Sequence, residues 1–217
     1  MKLITIPSHL VSTMISALTI ILGTLIGALC SWIITNKNTK KSIEEQYRIM
    51  RENIKYEESY KRKKICENAN VIRLDISTAM FQSVRFLKDY FNKNIERQYP
   101  IPINKSYSCT VSSLSDKYSL KELSYIYQFY AIVEKLNYDI LNCDMSEEDC
   151  INKIAEGYKS VLFKLYGDNW TKILEKDIDK ASYNELYDNN YMKAGYKEVL
   201  KKLDYLCFIE NLNKGDK

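Results

Sequence analysis

The sequence predicts an all-α chain: an N-terminal transmembrane helix, a helical stalk and a small helical bundle. Three observations lead there. Only six Gly and three Pro occur in 217 residues, and none of the Gly falls between Ala28 and Glu156, so the many tight turns of an all-β fold have no residues to make them. No Asp, Glu, Lys or Arg occurs from Leu3 to Asn36. Beyond that run, apolar residues recur at helical spacing and Ser-x-x-acid pairs mark where helices begin.

Residues 1–9 read as a short outer tail. Residues 10–35 read as the span, with twelve Leu, Ile or Val. At 1.5 Å per residue such a helix covers roughly 39 Å, more than the roughly 30 Å of bilayer hydrocarbon. Pro7 suits a helix start, and Trp32 sits where an interfacial aromatic anchor belongs. The run is too long for an ordinary signal peptide, and Leu29 before Cys30 is too large for a lipoprotein cleavage site. Lys37, Lys40, Lys41, Arg48 and Arg51 follow the span, against Lys2 and the terminal amine before it. The positive-inside rule then places the N-terminus outside and the C-terminal domain in the cytoplasm, in a single pass of the cell membrane. Within the span, Ser12, Ser16, Thr19, Gly23, Gly27 and Ser31 form a stripe of small residues. Its GxxxG centre lets helix backbones approach closely, so Thr19, Gly23, Gly27 and Ser31 are the expected helix-association site.

Residues 36–64 read as a basic helical stalk. Ile43, Tyr47, Met50 and Ile54 alternate in steps of four and three, as a coiled-coil seam does, and point to a homo-oligomer. Glu44–Arg48, Glu57–Lys61 and Glu58–Arg62 are favourable i,i+4 pairs. Lys61-Arg62-Lys63-Lys64 lies about 38 Å along a straight helix from the span, several Debye lengths from lipid, and reads as a solvated face. The stalk's ten basic and five acidic residues (37–64, net +5) contrast with twelve basic and fifteen acidic after Cys143 (net −3).

Residues 65–217 read as a helical bundle. Ile65, Ala69, Ile72, Ile76, Met80, Phe86, Leu87 and Tyr90 give the first helix a broad apolar face, and Pro100-Ile101-Pro102 is expected to end it. The stretch from Pro100 to Lys117 is expected to be the longest irregular loop and the best candidate for a binding segment. Capping boxes at Ser119/Glu122, Ser146/Asp149 and Ser182/Glu185 open three later helices. The first runs to about Asn142, with Leu123, Ile126, Tyr127, Tyr130, Val133 and Leu136 inward; the second stops near Gly167. A short helix follows from Asp168, with Trp170 capping the core, and the last helix carries Val199, Leu200, Leu203, Leu206 and Ile209.

Chemistry is defined mainly by what is missing. The only His is His9, which removes His-based triads and ordinary zinc or di-iron sites, so no metal, cofactor or catalytic residue is expected. No Gly-rich phosphate loop is present, and the net charge of +4 is too small to suggest nucleic acid as a partner. Cys30, Cys66, Cys109, Cys143, Cys150 and Cys207 show no CxxC spacing and are expected to be free, mostly buried thiols in a reducing compartment. The layout resembles that of uncharacterised single-pass membrane proteins of low-GC bacteria and their prophages; the resemblance covers organisation only and supplies no site residue. The function expected on these grounds is a non-enzymatic, membrane-tethered interaction or scaffold protein with the membrane and another protein as partners. The alternatives are a membrane-active effector, holin-like or a phage-defence toxin, and an enzyme of unfamiliar type.

Overall fold

The computed structural model describes residues 8–95, 99–144 and 147–212, and every regular element among them is helical. The chain divides into two compact units, residues 1–59 and 60–217. A single helix, α1 (Ser8–Phe91), contributes to both.

In the first unit α1 carries no Gly between Ala28 and Ser59 and no Pro, so nothing in the sequence interrupts its hydrogen-bond ladder. It is long and apolar enough to cross a membrane, with a mean hydropathy of 2.2 in its most apolar window and none of that window buried. Pro7, expected at its start, lies outside the described residues, as do the side chain of His9 and Lys2. Thr19 donates its hydroxyl to the Ile15 carbonyl at 2.7 Å, which satisfies the polar group within the helix itself. Arg48 pairs with Glu45, one residue away from the expected Glu44, because i,i+3 neighbours lie as close on a helix surface as i,i+4 neighbours.

In the second unit α1 turns its apolar face inward: Ala69, Ile72, Ile76, Met80, Val84 and Leu87 are all buried. The helix stops at Phe91, eight residues before Tyr99. Lys93 adopts φ +59°, its amide bonds the Tyr90 carbonyl at 3.1 Å, and the Asn94 amide bonds the Asp89 carbonyl at 2.9 Å. That pair of bonds is a Schellman stop, with Lys in the left-handed position that Gly usually takes. Glu57 and Lys61 do not pair; Lys61 instead reaches Asp116 at 3.0 Å.

The expected long loop from Pro100 to Lys117 is interrupted by α2 (Tyr107–Ser112) and is docked. Ile101, Val111 and Leu114 are buried, and the Asn137 side chain clasps both the amide and the carbonyl of Ile101, at 2.7 and 2.9 Å. Asp75 accepts from the Asn104 amide at 3.0 Å and from the Tyr130 hydroxyl at 2.7 Å. Burial raises the Asp75 carboxyl above its ordinary value, while these two bonds oppose the rise.

α3 (Leu120–Asn142) opens on the expected capping box: the Glu122 amide donates to the Ser119 hydroxyl and the Ser119 amide to the Glu122 carboxylate. Phe129 is buried where Tyr127 was expected; Tyr127 lies at the face's edge, and its hydroxyl bonds the Ser108 carbonyl at 3.0 Å. α4 (Glu148–Tyr166) begins with Glu147 as N-cap; Ser146, its expected cap, lies outside the described residues. It ends at Gly167, whose φ of +60° favours Gly. A 3-10 turn (Gly167–Asn169) and α5 (Trp170–Leu174) follow, with Trp170 packed partly buried on the core. α6 (Tyr183–Tyr187) is opened by the Ser182/Glu185 box, and α7 (Ala194–Leu212) buries Val199, Leu200, Leu203 and Leu206. The Ile209 side chain is outside the described residues.

The thiol expectation needs one correction. Cys143, at the C-terminal end of α3, and Cys150, in the first turn of α4, are joined by a disulfide with Cα atoms 5.5 Å apart. Their seven-residue spacing resembles no CxxC motif, yet the end of α3 and the start of α4 bring the two residues together. Cys66 and Cys207 are buried, with the Cys66 thiol donating to the Cys207 carbonyl at 3.3 Å, and Cys30 and Cys109 are exposed. Burial pushes the Cys207 thiol up to about 11, so it stays protonated and inert at neutral pH.

A candidate binding groove on two helices

α3 and α4 approach each other more extensively than any other pair of elements among the described residues. Gly157, in the middle of α4, makes this possible. A Cβ built there would sit 2.7 Å from Leu136 Cδ1 and 3.6 Å from Leu136 Cβ and Cγ, so the buried Leu136 seats directly on the α4 backbone. Gly in a helix interior costs about 1 kcal/mol relative to Ala, which close packing of this kind offsets.

Beside that contact the two helices leave a groove of about 570 Å³. From α3 it takes Ile132, Lys135, Leu136 and Asp139, one face in steps of three and four; α4 supplies Lys153, Glu156, Gly157, Ser160, Phe163 and Lys164 from its facing side, and Lys159 stands at the edge. Ile132, Leu136 and Phe163 give it an apolar floor. Phe163 is 46% exposed. One side of its ring lies 5.0 Å from the ammonium of Lys193, which also donates to the Phe163 carbonyl at 3.0 Å.

The rim is basic. Lys135, Lys153, Lys159 and Lys164 face only Asp139 and Glu156, four positive charges against two negative. Lys153 holds the buried Asp139 at 2.7 Å, Lys159 holds Glu156 at 2.9 Å, and Lys164 donates to the Gln128 amide oxygen at 2.6 Å. Lys135 has no ion-pair partner among the described residues. The tract from Cys143 onward is acidic overall, so the basic groove is a placement of charge and not a reflection of composition.

The residues expected from sequence to form a site lie elsewhere. Thr19, Gly23, Gly27 and Ser31 line one side of α1 in the first unit, and a Cβ at either Gly would meet nothing within 4 Å. The Pro100–Lys117 segment is committed to the core through Ile101 and Asn104. Groove residues escaped the sequence reading because Lys at helical spacing looks like any solvated face; Gly157, alone in the middle of a 19-residue helix, was the available signal.

Two buried polar centres complete the unit. Arg73 and Asp204 form an ion pair at 2.6 Å, Tyr187 donates to the other Asp204 oxygen, and the Arg73 guanidinium lies 4.7 Å over the Tyr183 ring. This ties α1, α6 and α7 together. The Asp75 centre pins the segment before α2. Both carboxylates are committed to contacts that hold the fold, and among the described residues no group of three or more His, Cys, Asp or Glu is placed to hold a metal ion. In comparisons with known proteins, no family model, no curated protein and no solved structure matches the chain.

Proposed function

We propose that the chain is a membrane-tethered interaction protein: residues 10–35 span the cell membrane once, residues 36–64 form a stalk, and the helical bundle engages another protein at the cytoplasmic face. The observation that carries the reading is the α3–α4 groove, whose apolar floor includes the half-exposed Phe163 and whose rim is basic. Supporting the tether is the uncharged, wholly unburied first part of α1. Five basic residues close behind the span, against Lys2 ahead of it, support the orientation. The Cys143–Cys150 bond argues the other way, since such bonds persist mainly in oxidising compartments. Flanking charge acts during insertion itself, whereas in the cytosol this cysteine pair is kept reduced and the helix hairpin is held by the Gly157–Leu136 contact.

The reading includes self-association through α1. At 100° per residue, the small stripe (Thr19, Gly23, Gly27, Ser31) and the seam (Ile43, Tyr47, Met50, Ile54) are centred about 170° apart on a straight helix. A straight pair of parallel helices therefore uses one set and leaves the other outward. The alternative, a membrane-active effector, places the activity in the span. Controlled expression of the full chain tests the choice: an interaction protein leaves the membrane potential intact and cross-links to a partner in stoichiometric yield. Prompt depolarisation with no cross-linked partner would overturn the reading.

A further inference from the structure

We propose that the α3–α4 groove receives an amphipathic helix of a partner protein, about three turns long, with apolar residues along one face and Asp or Glu along its margins. The proposal rests on the reading of the chain as an interaction protein and names the partner's chemistry. Length, shape and charge each point to this occupant. The α4 wall extends from Lys153 to Lys164, twelve residues, a rise of about 16 Å at 1.5 Å per residue step, which matches three helical turns. Its apolar floor is a line, not a closed chamber: Ile132 and Leu136 are one turn apart on α3, and Phe163 lies across from them. Two packed antiparallel helices with an open seam between them offer the position of a third helix, read by anchors at i, i+3 or i+4, and i+7.

Charge then selects among helices. Among the described residues Lys135 and Lys164 carry no carboxylate partner, while Lys153 and Lys159 already neutralise Asp139 and Glu156. An acidic margin therefore finds two ammonium groups whose pairing displaces no carboxylate of the chain. A second copy presenting its own groove would bring like charges together, which disfavours groove-to-groove self-association. The hairpin is preorganised along the contact by Leu136 seated on Gly157, by the Lys153–Asp139 pair toward one end and by the Lys164–Gln128 contact toward the other, so little ordering opposes binding.

The test uses the full chain in phosphatidylcholine nanodiscs. The probe is a fluorescent synthetic helix of about four turns with Leu at i, i+3, i+4 and i+7 and Glu at the flanking positions. Saturable binding is expected. Lys135→Glu with Lys164→Glu should weaken it by about tenfold or more and confer binding of the charge-reversed, Lys-bearing peptide. Ser160→Trp, at an exposed position, should fill the groove and abolish binding while leaving helicity unchanged. Equal binding of both peptides by the parent protein, or binding indifferent to both sets of substitutions, would overturn the proposal. So would equal affinity for polyglutamate, or loss on charge reversal of attachment to phosphatidylglycerol vesicles and not of the peptide. A cellular partner that still cross-links to the charge-reversed protein, when the peptide fails to bind the parent, would sink the groove proposal alone and leave the interaction reading in place.

Discussion

Breaking the Cys143–Cys150 bond should cost the helical unit about 2.5 kcal/mol. The figure follows from the loop that the bond closes: a sequence separation of seven defines a ring of about eight residues, and the loop-entropy relation then gives about 8 cal/mol/K lost from the unfolded chain. Packing elsewhere is expected to keep the folded hairpin in place without the bond, because Leu136 remains seated on Gly157 and Lys153 on Asp139. A fragment covering residues 60–217 provides the assay, and it should be helical and cooperatively folded without added metal. Thiol titration in denaturant should find two thiols fewer in the oxidised protein than after reduction. Urea unfolding should then show a midpoint lower by roughly 1 M in reductant, given slopes of about 1–3 kcal/mol/M for small proteins. Replacing both cysteines with Ser should reproduce the reduced midpoint and remove the effect of reductant. Equal midpoints with and without reductant, in a protein whose thiol count confirms the bond, would refute the entropic reasoning; a full thiol count after air oxidation would refute the pairing itself.

Other consequences are local. Ser119→Ala should destabilise the unit by about 1 kcal/mol through loss of the α3 cap, read by thermal or urea unfolding; an unchanged midpoint would mean that the cap is not formed. Burial alone would raise the Glu122 carboxyl, but donation from the Ser119 amide, Lys202 and the Ser119 hydroxyl holds it below its ordinary 4.5, so its contribution is complete above that pH and lost as pH falls through the lowered folded value; Glu122→Gln should flatten that part of the stability profile. Lys93→Gly should stabilise by about 0.5–1 kcal/mol, since φ +59° costs a side chain and not Gly; destabilisation would contradict the Schellman stop. In a membrane reporter of self-association, either Gly23→Ile with Gly27→Ile or Ile43→Asn with Met50→Asn should weaken the signal strongly, and not both pairs equally.

Much of the helical layout is legible in residue order because its signals are local. Two capping boxes, the stop at Gly167 and the buried face from Ile65 to Leu87 each depend on spacings within one or two turns, and each is found as expected. The end of α1 is not legible in this way: Lys93 in a left-handed conformation has no sequence signature, and residue order points to Pro100 as the stop. The docked segment before α2 depends on Asn137 and Asp75, residues 36 and 29 positions away from the backbone atoms they hold. The groove is hidden for the same reason. Its floor and rim come from two helices whose register is set by one Gly–Leu contact, and nothing in either helix alone separates Lys135 or Lys164 from solvated lysines.

The side of the membrane on which the helical unit lies tests the account most directly, and the chain carries its own reporter in Cys109, which is free and exposed. In intact cells an impermeant maleimide should leave Cys109 unlabelled until the membrane is permeabilised, with Cys109→Ser as the control for signal from other thiols. A cysteine placed at Lys2, in a variant lacking Cys109, should be labelled without permeabilisation. Labelling of Cys109 in intact cells together with protection at residue 2 would invert the orientation, put the Cys143–Cys150 bond in an oxidising compartment, and contradict the proposed cytoplasmic partner.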